Sequence, residues 1–174
     1  MKRILIVVDM KKDFLDGALG TAEAQDIAPA VVAKITNFDG DIYATLDTHS
    51  ADYMNTNEGK NLPVVHCIEG TDGWELDENI KSALTKRGYT PVKKPTFGSV
   101  VLPKMIKDKY DVNNIEIELI GVCTDICVVS NALILKANFP EINISVDSMC
   151  CAGVTPELHN SALNTMKSCQ IVIK

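Results

Sequence analysis

Ile115-Glu-Ile-Glu-Leu-Ile120-Gly-Val-Cys-Thr-Asp-Ile-Cys127-Val-Val-Ser130 passes from one kind of structure to another in a short stretch. The β-branched apolar run Ile115–Ile120 reads as a buried strand. Asp125–Asn138 carries its apolar residues at helical spacing. Cys127 therefore falls at a strand-to-helix turn, in the first turn of the helix. There, unpaired backbone N–H groups and the positive end of the helix dipole lower a thiol's pKa, and the same N–H groups can hold an oxyanion. Cys127 is a nucleophile candidate on that ground. A cysteine buried only for packing is the alternative.

The same alternation extends in both directions. Strands are predicted over Arg3–Val8, Asp41–Leu46, Thr90–Lys93, Ile115–Ile120, Ile142–Val146 and Gln170–Ile173. Helices are predicted over Ala24–Phe38, Leu76–Lys86, Leu102–Lys109, Asp125–Asn138 and Pro156–Lys167, the last with Thr155 as N-cap and Pro156 at N1. Alternating strands and helices specify an α/β fold, a mostly parallel six-stranded sheet covered on both faces. Right-handed crossovers then bring the strand C-termini to one edge. Asp47 to Glu75, rich in Asn, Gly, Thr and Pro, resists regular structure. It carries two of the three histidines, which favours a functional loop.

The bulk numbers fit this picture. At 174 residues the chain suits one domain, 1–174, with a real core. A hydrophobic fraction of 46% and a charged fraction of 23% are those of a globular protein. The net charge of −6 and pI near 5.0 argue against nucleic acid or an anionic membrane as partner. No stretch approaches the roughly 18 apolar residues of a membrane span. The apolar run after Met1-Lys-Arg is too short for a signal peptide. Six unevenly placed cysteines do not form a secreted-domain framework, so a cytoplasmic protein with reduced thiols is expected. Cys150, Cys151 and Cys169 read as small buried apolar residues.

Reactive groups follow the strands. Asp9 ends Ile4–Val8, Asp47 and His49 follow Ile42–Leu46, Lys94 follows Thr90–Lys93, and Cys127 follows Ile115–Ile120. In an open α/β sheet such positions converge on the ligand crevice. A carboxylate after a strand is also a common cap, so the weight rests on the convergence. Asp9 can take the Cys127 proton while the Lys94 ammonium stabilises the thiolate. Lys93 and Lys94 are not distinguished by the residues alone.

Asp47-Thr-His49 in an extended segment places both side chains on one side, and His66 can complete a facial set from across the loop. Imidazole and carboxylate donors suit Zn, Fe or Mn. Glu58 is a weaker fourth candidate. A hydrogen-bonded structural role is the alternative for His66. His159, at the start of the last predicted helix, reads as a surface or capping residue in preference to a papain-like partner for a cysteine.

These motifs together resemble the isochorismatase-like cysteine hydrolases, the superfamily that includes nicotinamidases. The resemblance rests on Val8-Asp9-Met-Lys-Lys-Asp-Phe14, Asp47-Thr-His49, His66-Cys67 with Gly70-Thr71, Lys94-Pro-Thr-Phe97 and Gly121-Val-Cys-Thr-Asp-Ile-Cys127-Val, in the family's order along almost the whole chain. It implies a three-layer α/β/α, Rossmann-like fold. It implies a triad of Asp9, Lys94 and Cys127, a metal on Asp47, His49 and His66, and a cis peptide at Val122-Cys123. The N–H groups of Cys123 and Cys127 would then form the oxyanion hole. In nicotinamidases the metal holds the pyridine nitrogen. Two positions depart from the pattern: Lys11 stands where the family often has glutamine, and Asn61–Val65 lacks the tryptophan that stacks on the pyridine. Phe14 is left as one aromatic wall. The true isochorismatases lack the catalytic cysteine, so Cys127 argues against vinyl-ether hydrolysis.

The expected function is a metal-containing cysteine amidohydrolase, with zinc the first choice of ion and nicotinamide the first choice of substrate. Another small amide or an N-carbamoyl compound is the alternative within the class. A non-catalytic binding protein of the same fold, and a thiol redox protein, are the alternatives outside it. Homo-oligomers are common in the family.

Overall fold

The computed structural model describes residues 1–174. Six strands, β1 (Lys2–Val8), β2 (Asp41–Asp47), β3 (Thr90–Lys94), β4 (Ile115–Val122), β5 (Asn143–Ala152) and β6 (Val172–Ile173), form one sheet in the order β3-β2-β1-β4-β5-β6. Every neighbouring pair is parallel. Seven α-helices accompany them: α1 (Lys12–Leu15), α2 (Ala22–Asn37), α3 (Asn57–Asn61), α4 (Glu78–Arg87), α5 (Leu102–Lys109), α6 (Val129–Asn138) and α7 (Pro156–Ser168). None is long and apolar enough to cross a membrane.

The period of two along β1 builds the layers. Leu5 and Val7 join Val31 and Ile35 of α2 and Ile80 and Leu84 of α4 in one core. Ile4, Ile6 and Val8 join Leu102 and Ile106 of α5, Ala132 and Leu135 of α6 and Met166 of α7 in the other. A strand buried on both faces must be apolar throughout, which is why β1 reads as an unbroken run. Each of the valine, leucine, isoleucine and methionine side chains in these cores contributes about 1.5–3 kcal/mol by burial. The strand order reverses between β1 and β4, and that reversal opens the crevice at their C-terminal ends.

Differences from the predicted elements have local causes. Helix α4 starts at Glu78, not Leu76, because the Asp77 carboxylate caps the N–H groups of Asn79 and Ile80 at 2.9 and 3.1 Å. Leu76 pairs with Lys11 in an antiparallel bridge instead. Strand β5 runs on to Ala152: after a register shift between Leu119 and Gly121, Gly121 pairs with Cys151. The last strand shortens to Val172–Ile173, since Gln170 turns the chain at φ +64°. Cys169 is exposed, contrary to expectation, because it caps α7 outside the face that buries Ala162 and Met166. The loop after β2 is partly structured, by a 3-10 turn at Tyr53–Asn55 and by α3.

Candidate active site

Asp9, at the end of β1, is wholly buried. Its Oδ1 accepts from the Thr45 hydroxyl at 2.9 Å and the Asp47 N–H at 3.0 Å. Lys94 Nζ lies 2.7 Å from Asp9 Oδ2 and 3.3 Å from Asp47 Oδ1, and donates to Thr96 O at 2.9 Å. Oδ2 has no hydrogen-bond partner besides this ion pair. Lys94 Nζ also lies 3.6 Å from Cys127 Sγ. Of the two neighbouring lysines it is Lys94 that enters this group, because β3 alternates, burying Lys94 and exposing Lys93, which pairs with Glu69.

Cys127 reaches this group through an unusual connection. Gly121, at φ +117°, lets β4 pass so close to β1 that a Cβ would lie 2.1 Å from Val8 O. The Val122–Cys123 peptide is cis. Thr124–Val128 then forms a π-turn before α6 begins at Val129, so Cys127 sits in a wider turn than the α-helical one predicted. The Cys123 carbonyl takes the N–H groups of Ile126 and Val128 at 3.1 and 3.0 Å. Asn131 Nδ2 holds Cys127 O at 2.8 Å, while Asn131 Oδ1 accepts from Ser99 N–H.

The expectation of a lowered thiol pKa is corrected. Burial pushes the Cys127 thiol well above its ordinary range, and the Asp9 charge adds to this, with Lys94 only partly opposing. Burial thus favours the thiol form of Cys127 beside Asp9. His159 has no part in this pair. Its Nδ1 lies 2.8 Å from the Thr124 hydroxyl, tethering the nucleophile turn to α7. Gly153 makes room for this tether, since a Cβ there would meet both His159 and Asp125 within 2.9 Å.

A second cluster adjoins. The ligating atoms of Asp47, His49 and His66 all lie within 4.8 Å of one another. Asp47 Oδ2 is 3.0 Å from His49 Nε2 and 3.6 Å from His66 Nε2. Glu58 Oε1 is 3.6 and 3.7 Å from the same two nitrogens. His49 Nε2 is buried and makes no hydrogen bond despite its close approach to Asp47 Oδ2. His66 Nδ1 faces Val64 O at 2.8 Å; a carbonyl only accepts, so Nδ1 carries the proton and Nε2 is left as a lone pair. Two imidazole nitrogens and a carboxylate in a facial set, with an outer-shell partner on one imidazole, fit a divalent transition metal. Asp13 supports the set from outside: its Oδ2 accepts the N–H of Cys67, the residue after His66, at 2.8 Å, holding Cys67 at φ +48°.

A pocket of about 320 Å³ joins the two clusters; its lining includes Asp47, Glu58, His66, Cys123 and Cys127. Phe14 lines it and stands 5.6 Å from the His66 ring between centroids. Trp74 is not part of the lining. Its indole N–H donates to Thr48 at 2.9 Å and its ring lies under the Lys11 ammonium at 4.3 Å, so Lys11 and Trp74 brace each other behind the metal loop. Burial lowers the Lys11 pKa to about 8 despite the nearby acidic groups.

The family model for the isochorismatase domain matches residues 3–174. The chain belongs to the isochorismatase family. An uncharacterized isochorismatase family protein from Bacillus subtilis strain 168 is 27% identical over 177 residues, covering 94% of this chain and 93% of that protein. The crystal structure of a nicotinamidase/pyrazinamidase from Bacillus subtilis superposes with a TM-score of 0.86 at 26% identity, over 99% of each chain. A pyrazinamidase of Pyrococcus horikoshii, solved in complex with zinc, gives 0.80 at 27% identity over 100% of this chain and 99% of that one. This isochorismatase-family chain thus shares its whole fold with proteins named for hydrolysis of heteroaromatic amides.

Proposed function

We propose that the protein is a metal-containing cysteine amidohydrolase that converts nicotinamide and water to nicotinate and ammonia. The observation that carries the reading is the buried contact set of Asp9, Lys94 and Cys127 at the floor of a pocket that also reaches the Asp47–His49–His66 cluster. Asp9 takes the thiol proton as Sγ attacks the carboxamide carbon. Lys94 offsets the charge shared by thiolate and carboxylate. The N–H groups of Cys123 and Cys127 receive the oxyanion; that of Cys123 has no backbone acceptor of its own. Asp9 returns its proton to the leaving nitrogen, which departs as ammonia, and then activates the water that opens the thioester. A divalent ion held by Asp47, His49 and His66, with Glu58 beside them, would supply a Lewis-acid dock for the pyridine nitrogen. The zinc complex of the Pyrococcus relative supports zinc as that ion. All six cysteines are free, which suits a reducing, cytoplasmic setting.

The test is ammonia release from nicotinamide by zinc-loaded protein. The reading predicts turnover that Cys127→Ala abolishes. Turnover that survives this substitution would remove the nucleophile assignment. Inactivity of protein loaded in turn with zinc, iron and manganese would favour a binding protein of the same fold.

A further inference from the structure

We propose that the preferred substrates of this site are heteroaryl carboxamides bearing an apolar substituent on the ring, and that Leu62 is a specificity-determining residue for it. The inference rests on the amidohydrolase reading and concerns the half of the pocket that the reaction does not use. The cavity holds about 320 Å³. Pockets that enclose drug-sized ligands start at about 300 Å³, so a single-ring amide leaves room over.

The lining divides into two kinds of side chain. Asp47, Glu58, His66, Cys123 and Cys127 belong to the reactive and metal-type groups described above. Leu19, Leu62, Phe97, Ile126 and Val154 supply apolar walls to the rest. Leu62, Phe97 and Val154 are 37%, 43% and 43% exposed, and none belongs to either core. They therefore contribute little to folding, and a ligand that covers them gains apolar burial. The neutral hydroxyl in this lining, Thr21, is already engaged through its oxygen as N-cap of α2, accepting from Ala24 N–H at 3.1 Å. Glu58, the other polar group beside Leu62, has its carboxylate 3.6 and 3.7 Å from His49 and His66 Nε2, so a polar substituent against the apolar walls would lose water without a matched partner.

Leu62 is fixed in position, not merely present. Its carbonyl accepts from the Tyr53 hydroxyl at 2.9 Å and its N–H donates to Glu58 O at 2.8 Å. The Tyr53 ring in turn lies 4.8 and 4.9 Å from the rings of His49 and His66. The wall and the metal-type cluster are therefore held in register with one another.

The experiment compares nicotinamide with its 5-methyl, 5-ethyl and 5-propyl derivatives on the zinc-loaded enzyme. Each buried methylene is expected to raise kcat/KM about fourfold, or about 60-fold for propyl, chiefly through KM. The 5-hydroxymethyl compound should fall below 5-ethyl. Leu62→Trp should cut the propyl-to-unsubstituted ratio about tenfold or more. Leu62→Ala, which removes the apolar wall, should also lower that ratio and serves if the tryptophan variant does not fold. Good turnover of nicotinamide with kcat/KM falling from the first methyl onward would overturn this inference and leave the hydrolase reading standing. An unchanged ratio in both variants would remove Leu62. Silence on every amide, nicotinamide included, would instead defeat the hydrolase reading and this inference with it.

Discussion

Lys94→Met keeps most of the side-chain stem and removes the ammonium. In the native molecule that ammonium lies 2.7 Å from one Asp9 oxygen and 3.3 Å from one Asp47 oxygen, and the Lys94 and Asp9 side chains have no exposed area. The substitution leaves two carboxylates close together without their counter-charge. Breaking a buried pair in this way costs about 3–5 kcal/mol. For a chain of 174 residues that is a fall in Tm of about 6–20 °C. Thermal unfolding followed by circular dichroism at pH 7 measures it, with Asp9→Asn and the double variant completing a cycle. The double variant should cost less than the sum, with a coupling of about 1–3 kcal/mol. The pH sign follows from the raised pKa of Lys94, where burial opposes the charged form and the charges of Asp9 and Asp47 outweigh it. Its contribution is complete below the unfolded lysine value of about 10.4 and is lost only as pH rises through the higher folded value. The deficit of the variant should thus be constant from pH 7 to 9. A Tm within about 2 °C of the parent, or strictly additive costs, would refute the charge balance described for this site.

Three further outcomes are expected. Alkylation of Cys127 by iodoacetamide should accelerate continuously through pH 9, since burial and Asp9 hold the thiol protonated; a plateau below pH 7 would show a resting thiolate. Asp13→Ala frees the Cys67 N–H and the loop that carries His66, and should weaken zinc binding about 10–100-fold in competition with a chromophoric chelator. Trp74 fluorescence offers a second readout there, because its indole is bonded to Thr48 between two candidate ligands; unchanged affinity would disconnect Asp13 from the metal. His159→Ala unties Thr124 and should lower kcat about 10–100-fold with KM nearly constant, and His159→Asn should restore part of it; a fall confined to KM would deny the positioning role.

Much of this architecture can be read directly from residue order. Strand β1 is an unbroken apolar run from Ile4 to Val8 because helices cover both its faces, whereas β4 carries Glu116 and Glu118 between its first apolar residues and becomes continuous only from Leu119. The strand ends then bring Asp9, Asp47 and Cys127 together by topology alone. Short-range rules failed where distant contacts decide. Strand β3 is too short for its alternation to separate Lys93 from Lys94. A helix dipole alone predicts a lowered thiol pKa, but the burial of Cys127 and its closeness to Asp9 arise only when β1 and β4 pair. Asp13 and Cys67 are 54 residues apart in sequence, and Thr124 and His159 are 35 apart. No local pattern announces either bond.

The covalent step is the claim on which the functional account stands. Zinc-loaded enzyme mixed with nicotinamide, quenched in acid within the first turnovers and digested, should yield the peptide containing Cys127 with the mass of one added nicotinoyl group, and Asp9→Asn should suppress that species. Ammonia released at full rate with Cys127 never acylated, or the acyl group found on another of the six cysteines, would contradict it.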